Sequence, residues 1–518
     1  MRETYTGKVK LIYIDPPYNT GHDFIYDDNF IQTREEYEEE SGEYDSEGGR
    51  LVANTESNGR FHSDWCSMIY PRLLLAKDML SDDGVIFISI DQNEVATLTL
   101  LCDDIFGAAT RVAHVAWCSS DSSNNNALTF SEDFNDLLVY SKAPRWIPNF
   151  LDDPEKRKHY KNPDNDPRGP YFDGGDVSNP GIRPNLQFDI TTPSGRVIHH
   201  PTNGWRWSKE RMKEMFKSGE LRFSADESRV IKRRYLADMK GLPPSTLWDD
   251  TNRTGHTRSA KYWLKALFPE IPSGGLFSTP KPVELIGYIL QLSIRDDNGI
   301  VLDFFGGSST TAEAVERFNI ENGMHLKWIT VQISEPINNE LCPYGVLTEF
   351  GEERIRRAGE KIKAEVEEAN RQAKIGEEPK KVPDIGFRVF RVDSSNFQDV
   401  RRQPDQLGQQ QLSLFTDNLK PDRTPEDLLF QVLPKFRIPY SAKVQKREVC
   451  GKTVFVVNDG QLVACFDVDV ETDTIEAIAR MRPLYAVFRD ASMADDATEA
   501  NFEELFKTYS PDTIRRVI

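Results

Sequence analysis

Four consecutive residues, Asp15, Pro16, Pro17 and Tyr18, have side chains and a spacing suited to chemistry on an amino group. The Asp15 carboxylate and the Pro16 carbonyl can each accept a hydrogen bond from an exocyclic amine, while Pro17 restricts the turn. The flat ring of Tyr18 offers a surface on which a base can stack. An aromatic amine is a poor nucleophile because its lone pair is delocalised into the ring. Two acceptors that hold its hydrogens out of the ring plane would therefore favour methyl transfer to that nitrogen.

The motif follows a segment that can position it. Five of the six residues from Val9 to Ile14 are apolar, which is typical of a buried strand of a parallel sheet, and the prolines end that strand. Ligands of doubly wound sheets bind beyond the carboxyl ends of the strands, so the motif would project into the ligand crevice. The alternative is a tight Pro-Pro turn without a chemical role. A chance match to this four-residue word is expected in well under about one in a hundred chains of this length.

A second segment, from Val301 to Val315, predicts a strand, a turn of small residues and a helix. Gly306 and Gly307 allow close approach of the backbone, and a helix N-terminus presents free N–H groups to a ligand. The spacing is neither G-x-G-x-x-G nor that of a phosphate loop, which the rest of the chain also lacks. Alone it could be an ordinary turn, but beside the first motif it indicates a cofactor site. Glu335, after the next strand, suits a ribose diol, and a solvated loop acid is the alternative.

Apolar segments and helical spacings alternate around these two motifs, which predicts an α/β fold with a mostly parallel, doubly wound sheet. A helix over 63–80 is expected to begin with Ser63 as its N-cap and to kink or break at Pro71. The other predicted strands are 84–91, 136–142, 299–305 and 328–334, and the other predicted helices are 92–106, 281–294, a helix from Thr310, and 346–375.

Interruptions of this alternation predict the domain organisation. Residues 22–62 are polar and acidic, typical of a long surface loop, and residues 406–415 form a glutamine-biased connector. The predicted units are a first catalytic part at 1–144, an insertion at 145–275, a cofactor-binding part at 276–375, a linker at 376–384 and a C-terminal α+β region at 385–518, which we expect to serve interaction or DNA clamping.

The distribution of charge changes what the net charge of -19 implies about nucleic acids. Over residues 205–265, fifteen Lys and Arg residues outnumber eight Asp and Glu residues, and aromatic residues lie among them. Such a pattern suits a DNA-contacting surface, and a solvated helix face with core tryptophans is the alternative. Residues 15–60 carry thirteen acids against three arginines, which we expect to keep phosphates from the catalytic crevice. The candidate DNA-binding residues are Arg206, Arg229, Lys232, Arg233, Arg234, Arg253 and Arg258.

The six cysteines include no CxxC pair, which argues against a disulfide framework or a zinc site and favours a reducing cytoplasm. The sequence has no apolar run of the roughly 18–20 residues that span a bilayer, and residues 1–20 lack a signal-peptide pattern. We therefore expect a cytoplasmic location, no membrane association and no metal site.

Several blocks of the sequence resemble one protein family. They are IDPPYNTG (14–21), HSDWCSMIYPRLLLAKDMLSDDGVIFISIDQNE (62–94), STPKPVELI (278–286), LDFFGGSSTTAEAV (302–315), VQISEPI (331–337) and DIGFRVFRVDSSN (384–396). With these blocks the chain resembles the modification (Mod) subunit of Type III restriction–modification systems. That subunit is an adenine-specific DNA methyltransferase of the permuted class, in which DPPY precedes FxGxG. The resemblance covers most of the chain and is least clear in the central insertion, to which the family assigns target recognition.

The resemblance implies a chemistry and a set of site residues. Adenine would be flipped out of double-stranded DNA, and its N6 would attack the methyl group of S-adenosylmethionine. Asp15 and Pro16 would hold the amine, Pro17 would shape the turn and Tyr18 would stack on the base. The cofactor-binding residues would be Asp303, Phe305, Gly307, Ser308, Thr310, Glu335, Lys281 and Pro282. The family also implies a homodimer that can join a separate ATP-dependent restriction subunit. N4-cytosine methylation and a catalytically impaired DNA-recognition subunit are the alternatives.

Two features depart from the family pattern. The family turn usually reads FAGSGTT, whereas this chain has Gly306 in place of the alanine and Ser309 in place of the second motif glycine. If Ser309 requires a positive φ, the cofactor turn is strained and cofactor affinity is expected to fall. The family also normally has a segment upstream of the first strand with a Gly-Asp-Asn-like motif, which predicts a truncated or misassigned start.

Overall fold

The computed structural model describes residues 2–20, 24–26, 51–53, 61–123, 127–153, 156–373, 378–397, 419–492 and 496–518. The predicted acidic loop at 22–62 lies mainly outside these residues, and the predicted connector at 406–415 lies wholly outside them.

The strands within the described residues are β1 (Val9–Ile14), β2 (Phe24–Tyr26), β3 (Leu51–Ala53), β4 (Leu80–Ile90), β5 (Arg111–Cys118), β6 (Phe134–Ser141), β7 (Tyr171–Gly175), β8 (Ile190–Thr191), β9 (Val197–Ile198), β10 (Leu221–Phe223), β11 (Val230–Tyr235), β12 (Leu247–Trp248), β13 (Ile300–Asp303), β14 (Lys327–Thr330), β15 (Val444–Val449), β16 (Lys452–Val457), β17 (Leu462–Cys465), β18 (Tyr485–Phe488) and β19 (Ile514–Val517). The α-helices there are α1 (Arg2–Tyr5), α2 (Phe61–Met79), α3 (Val95–Cys102), α4 (Lys209–Lys217), α5 (Thr251–Thr254), α6 (Thr257–Leu267), α7 (Val283–Ser293), α8 (Thr310–Asn322), α9 (Leu347–Gln372), α10 (Pro425–Val432), α11 (Thr472–Arg480) and α12 (Asp496–Tyr509).

A seven-stranded sheet in the order β12-β5-β6-β4-β1-β13-β14 carries both sequence motifs. Its neighbouring strands are parallel except at β6, which is antiparallel to β4 and to β5. The predicted α/β fold with a mostly parallel sheet is therefore confirmed. Because β1 lies between β4 and β13, the carboxyl ends of these three strands meet at one edge.

Helices cover both faces of this sheet because the strand side chains alternate between the faces. Ile12 and Ile14 pack with the side chains of α2 and α3. Leu11 and Tyr13 point the other way and pack with α7 and α8. Both faces of β1 are buried, which explains its nearly continuous apolar sequence.

The boundaries of several elements differ from the predictions. Helix α2 begins at Phe61, so Ser63 lies inside the helix and its predicted role as N-cap was wrong. The helix also continues through Pro71. Strand β14 ends at Thr330, which leaves Glu335 in the segment that follows. Helix α8 begins at Thr310, as predicted.

The segment predicted as an insertion contains a three-stranded sheet, β10-β11-β7, and the β8–β9 pair. The last part of this segment packs against the unit that contains the seven-stranded sheet and α9. Strand β12 pairs with β5, and Leu264 of α6 shares a buried apolar cluster with Phe350 of α9.

A five-stranded sheet in the order β15-β16-β17-β18-β19 forms the C-terminal region. Its first three strands are antiparallel and its last three are parallel, with α10, α11 and α12 in the same region. This is the α+β arrangement predicted for residues 385–518. Every helix among the described residues is too short or too polar to cross a membrane.

Candidate active site

Asp15 lies directly after β1, at the sheet edge where the two motifs meet. Its Oδ1 accepts a hydrogen bond from the Tyr18 hydroxyl at 2.9 Å and lies 2.7 Å from Nζ of Lys281. Burial, together with the adjacent Asp15 carboxylate, raises the pKa of Tyr18 well above its usual value, so the hydroxyl stays protonated. The acceptor and the aromatic face predicted from the sequence are therefore neighbours.

Contacts from α2 and from Glu94, the N-cap residue of α3, hold the catalytic turn. Trp65 donates from Nε1 to the Pro17 carbonyl at 2.8 Å. Asn19, in a left-handed conformation with φ of 59°, donates from Nδ2 to Oε1 of Glu94 at 2.5 Å. Nδ1 of His62 lies 2.6 Å from the same Glu94 oxygen. These hydrogen-bond contacts were not predicted, because the positions of the residues along the sequence do not relate them to the motif.

The cofactor turn begins at Asp303, a buried residue at the end of β13. Its carboxylate accepts a hydrogen bond from the Phe305 N–H at 3.0 Å and from the Thr311 hydroxyl at 2.5 Å. Burial raises the pKa of Asp303 to about 7, and the negative charge of Asp15 contributes in the same direction. Because β1 and β13 are adjacent parallel strands, the catalytic and cofactor motifs adjoin at their carboxyl ends.

Close packing at Gly306 and a positive φ at Gly307 explain the glycine pair of this turn. A Cβ atom at Gly306 would lie 2.3 Å from Cγ2 of Thr330, so the alanine of the resembling family would require a shift here. Gly307 has φ of 50° and donates its N–H to Oε1 of Gln332 at 2.8 Å. Nε2 of Gln332 lies 3.4 Å from Oε1 of Glu335, so Glu335 stays at the cofactor edge although the strand ends earlier.

A buried arginine on α9 supports the remaining predicted cofactor residues. Arg354 donates from Nη1 to the carbonyl and hydroxyl of Ser308 at 3.2 and 2.8 Å and to the Thr310 hydroxyl at 2.5 Å. Its Nη2 lies 3.1 Å from Oε2 of Glu313, and both side chains are 1% exposed or less. Glu313 also accepts a hydrogen bond from Nε1 of Trp263 at 2.7 Å. This network was not predicted, since α9 showed only charged-helix spacing.

Ser309 is the N-cap residue of α8 and has φ of 62° and ψ of 35°, the left-handed conformation. Ser309 therefore has the positive φ for which strain was predicted in a residue other than glycine. A Cβ atom at Gly351 of α9 would lie 2.6 Å from Oγ of Ser309. Gly351 thus leaves the space that the Ser309 side chain fills.

Replacing Ser309 by glycine is expected to stabilise the protein by about 1 kcal/mol, because the left-handed strain is removed. Denaturant unfolding would measure the change. Gly323, at the other end of α8, is a matched control with φ of 64° and open space around it, so Gly323→Ser should lose about as much as Ser309→Gly gains. Equal stability of Ser309→Gly and the unmodified protein would contradict the assignment of strain.

Lys281 and Pro282 lie just before α7, on the side of the catalytic motif. The Lys281 ammonium donates to the Tyr18 hydroxyl oxygen at 2.8 Å, in addition to its contact with Asp15. Pro282 is the N-cap residue of α7, and a Cβ atom at Gly255 would lie 2.5 Å from its Cβ. Lys281 was predicted as a cofactor residue, and its ammonium contacts the catalytic motif.

Four of the predicted DNA-binding residues line one groove of about 380 Å³ in the insertion, beside Trp207. Arg206 and Arg234 are exposed, and neither forms an ion pair with another residue that the structure describes. The Lys232 ammonium lies 4.8 Å from the ring centroid of Trp207. The groove therefore combines available positive charge with an aromatic side chain.

Arg233 and the three predicted DNA-binding residues outside the groove have other surroundings. Arg233, although it lines the groove, pairs with Asp166 at 2.8 Å and is 12% exposed. Arg258 pairs with Asp121 at 3.0 Å. Arg253 lies over the ring of Tyr288, and Arg229 is exposed. Trp205 and Trp248 are buried, as the alternative interpretation of this segment anticipated for core tryptophans.

Within the described residues, no group of three or more His, Cys, Asp or Glu side chains is placed to hold a metal ion.

Comparison with known proteins identifies several similar to this chain. A family model of DNA methylases matches residues 9–341. The Type III restriction-modification enzyme EcoP15I Mod subunit of Escherichia coli is 32% identical over 407 residues, covering 70% of this chain and 61% of that protein. The StyLTI Mod subunit of Salmonella typhimurium is 33% identical over 403 residues, covering 76% of this chain and 58% of that protein. The Type II methyltransferase M.KpnI of Klebsiella pneumoniae is 29% identical over 367 residues, covering 66% of this chain and 80% of that protein. The chain thus spans about three fifths of the length of the two Mod subunits.

Proposed function

Because the chain belongs to the DNA methylase family, we propose that it transfers a methyl group from S-adenosylmethionine to adenine N6 in double-stranded DNA. The observation that carries the proposal is the shared sheet edge at which Asp15 and Tyr18 adjoin the turn that begins at Asp303. The names of the Mod relatives support a role as the modification component of a Type III-like restriction–modification system. An aspartate at the first motif position favours adenine over N4-cytosine as the target.

The chain's own residues would hold and orient the target amine. The cofactor supplies an electrophilic methyl group. Asp15 would accept a hydrogen bond from the amine and draw its hydrogens away from the ring plane, with the Pro16 carbonyl as second acceptor. The Tyr18 ring would stack on the base. Since such a transfer needs alignment more than a strong base, the supports at Pro17 and Asn19 would matter by keeping the acceptors in place.

The cofactor turn fits S-adenosylmethionine on three structural grounds. Gly306 and Gly307 bring the backbone close to the sheet edge, where a side chain at Gly306 would clash with Thr330. The N-terminus of α8 faces this edge. Glu335, near Gln332, can accept hydrogen bonds from a ribose diol. Asp303, Phe305, Gly307, Ser308, Thr310 and Glu335 would therefore hold the cofactor.

Duplex DNA would have to present the amine by base flipping, since the stacked helix makes it inaccessible. The basic groove beside Trp207 supports the insertion as the DNA-contacting part of the chain. We extend the proposal to a homodimer that joins a separate restriction subunit. Light scattering of the purified chain alone and with a co-expressed restriction subunit would test both associations.

Removing Arg206 and Arg234 together is expected to weaken DNA binding about equally for all sequences if both contact phosphates, because phosphate contacts carry no sequence information. The slope of log affinity against log salt should fall by about one for each arginine. Arg211→Ala is the control, since this arginine lies on α4 and pairs with Glu214 at 3.0 Å. An unchanged salt slope in the double variant would exclude the groove as a phosphate-binding surface.

Base-resolved methylation sequencing of a host genome, with and without the gene, tests the proposed function. The expected result is N6-methyladenine at one recurring sequence only when the gene is present. Methylation of cytosine N4 would identify the other amine as substrate. Absence of methylation, together with no S-adenosylmethionine binding in calorimetry, would favour a catalytically impaired recognition subunit.

A further inference from the structure

The ammonium of Lys281 occupies an acceptor position of the catalytic motif. It lies 2.7 Å from Oδ1 of Asp15 and 2.8 Å from the Tyr18 hydroxyl oxygen. Its distance of 4.8 Å from the centroid of the Tyr18 ring places it beyond the hydroxyl group rather than over the ring face. The Lys281 side chain is 12% exposed, so these contacts are largely shielded from solvent.

The contact with Asp15 coincides with one that a target base requires. The amine of the base needs the Asp15 carboxylate as acceptor. An ammonium group is a nitrogen with hydrogen-bond donors, as is the exocyclic amine, so the two compete for the same oxygen. An amine cannot take its place at Oδ1 while the Lys281 ammonium keeps its position.

The position of Lys281 in the chain connects it to the other parts of the site. Residues 276–282 join the end of the predicted insertion to α7. Within this segment, Phe277 lies 3.5 Å from where a Cβ atom at Gly307 would be. Pro282 packs against Gly255, between β12 and α6. One short segment therefore touches the insertion, the cofactor turn and the catalytic motif.

We propose that Lys281 is an exchangeable counter-ion of Asp15, whose ammonium occupies in the resting enzyme the place of the target base's exocyclic amine. This inference rests on the proposed function. Base entry replaces the ammonium at Asp15 and so uncovers this part of the site. The apparent affinity for substrate is then lower than the intrinsic affinity by the fraction of molecules with an uncovered site. A site that is uncovered in about a tenth of the molecules would raise KM about tenfold.

Lys281→Met tests the proposal because methionine keeps an unbranched stem and removes the charge. The substrate is a duplex containing the site identified by methylation sequencing. KM for this DNA is expected to fall about tenfold in Lys281→Met. Lys281→Arg keeps a cation that can pair with Asp15, and its KM should stay near that of the unmodified protein. Calorimetry with S-adenosylmethionine alone reports whether each variant retains the cofactor site.

Lys281→Gln provides a second neutral variant if Lys281→Met does not fold, as judged by thermal unfolding. If Lys281 only supports Tyr18, KM for DNA rises or kcat is lost in the neutral variants, and either result overturns the proposal. An unchanged KM overturns it as well. Failure of the proposed function is a separate outcome, because the unmodified protein would then leave no methylation mark.

Discussion

Replacing Asp15 by alanine is expected to reduce methyl transfer about a thousandfold or more, while the affinities for DNA and for S-adenosylmethionine change little. The carboxylate is the charged acceptor at the catalytic edge, and the Tyr18 hydroxyl and the Lys281 ammonium are both oriented on its Oδ1. Its loss removes an interaction that the reacting amine needs. A fall in kcat without loss of binding is the signature of a group that acts on the reacting atoms. Single-turnover transfer of a labelled methyl group would measure it.

Asp91 is a matched control for this variant. It follows β4, the neighbour of β1, and its carboxylate accepts hydrogen bonds from the backbone and side chain of Asn93. Asp91→Ala removes one negative charge at the same sheet edge and should leave the single-turnover rate within a few-fold of the unmodified protein. Comparable single-turnover rates in Asp15→Ala and Asp91→Ala would contradict the role assigned to Asp15.

Local sequence patterns predicted the elements that carry the two motifs. The apolar run from Val9 to Ile14 and the helix start at Thr310 depend on neighbours along the chain, so composition and spacing sufficed. The left-handed conformation of Ser309 was also anticipated, since a family glycine marks that position. The motifs meet because parallel strands bring their carboxyl ends to one edge, a general rule of this fold class.

Tertiary structure brings the residues that contact the two motifs to the site, so these residues could not be predicted from sequence patterns. Lys281 and Tyr18 are 263 positions apart, and Arg354 lies 44 positions after Thr310. No periodicity relates such residues, and each lies in a segment with an ordinary pattern of its own. The family resemblance associated Lys281 with the cofactor, but only three-dimensional packing revealed its contact with Asp15.

The positively charged side chains of the insertion also differ in ways that sequence does not reveal. A surplus of seven positive charges identified the segment around the insertion groove, yet Arg233 within it is paired with Asp164 and Asp166. A sequence count cannot distinguish an arginine that stabilises the insertion from one that is available to phosphates. Burial and pairing make that distinction, and they leave Arg206 and Arg234 as the exposed cations of the groove.

Replacing Arg354 by alanine is expected to destabilise the catalytic unit by about 3–5 kcal/mol, the usual cost of breaking a buried ion pair from one side. Glu313 would remain buried, with Arg317 at 3.2 Å as its remaining ion-pair partner among the described residues. The Ser308 and Thr310 hydroxyls would lose a donor, so S-adenosylmethionine affinity should fall as well. Urea unfolding and calorimetry would measure the two effects.

Arg356, two residues further along α9, is the matched control. Its side chain is 51% exposed and pairs with Glu352 at 2.9 Å, so Arg356→Ala should cost no more than about 1 kcal/mol. The double variant Arg354→Ala with Glu313→Gln should lose less stability than the sum of its single variants, because each single variant already breaks the Arg354–Glu313 pair and the double variant breaks it only once. Additive losses, or equal losses in Arg354→Ala and Arg356→Ala, would contradict the role of this network. Non-additive losses of stability, together with weakened cofactor binding, would show that α9 helps to hold the cofactor turn in its conformation.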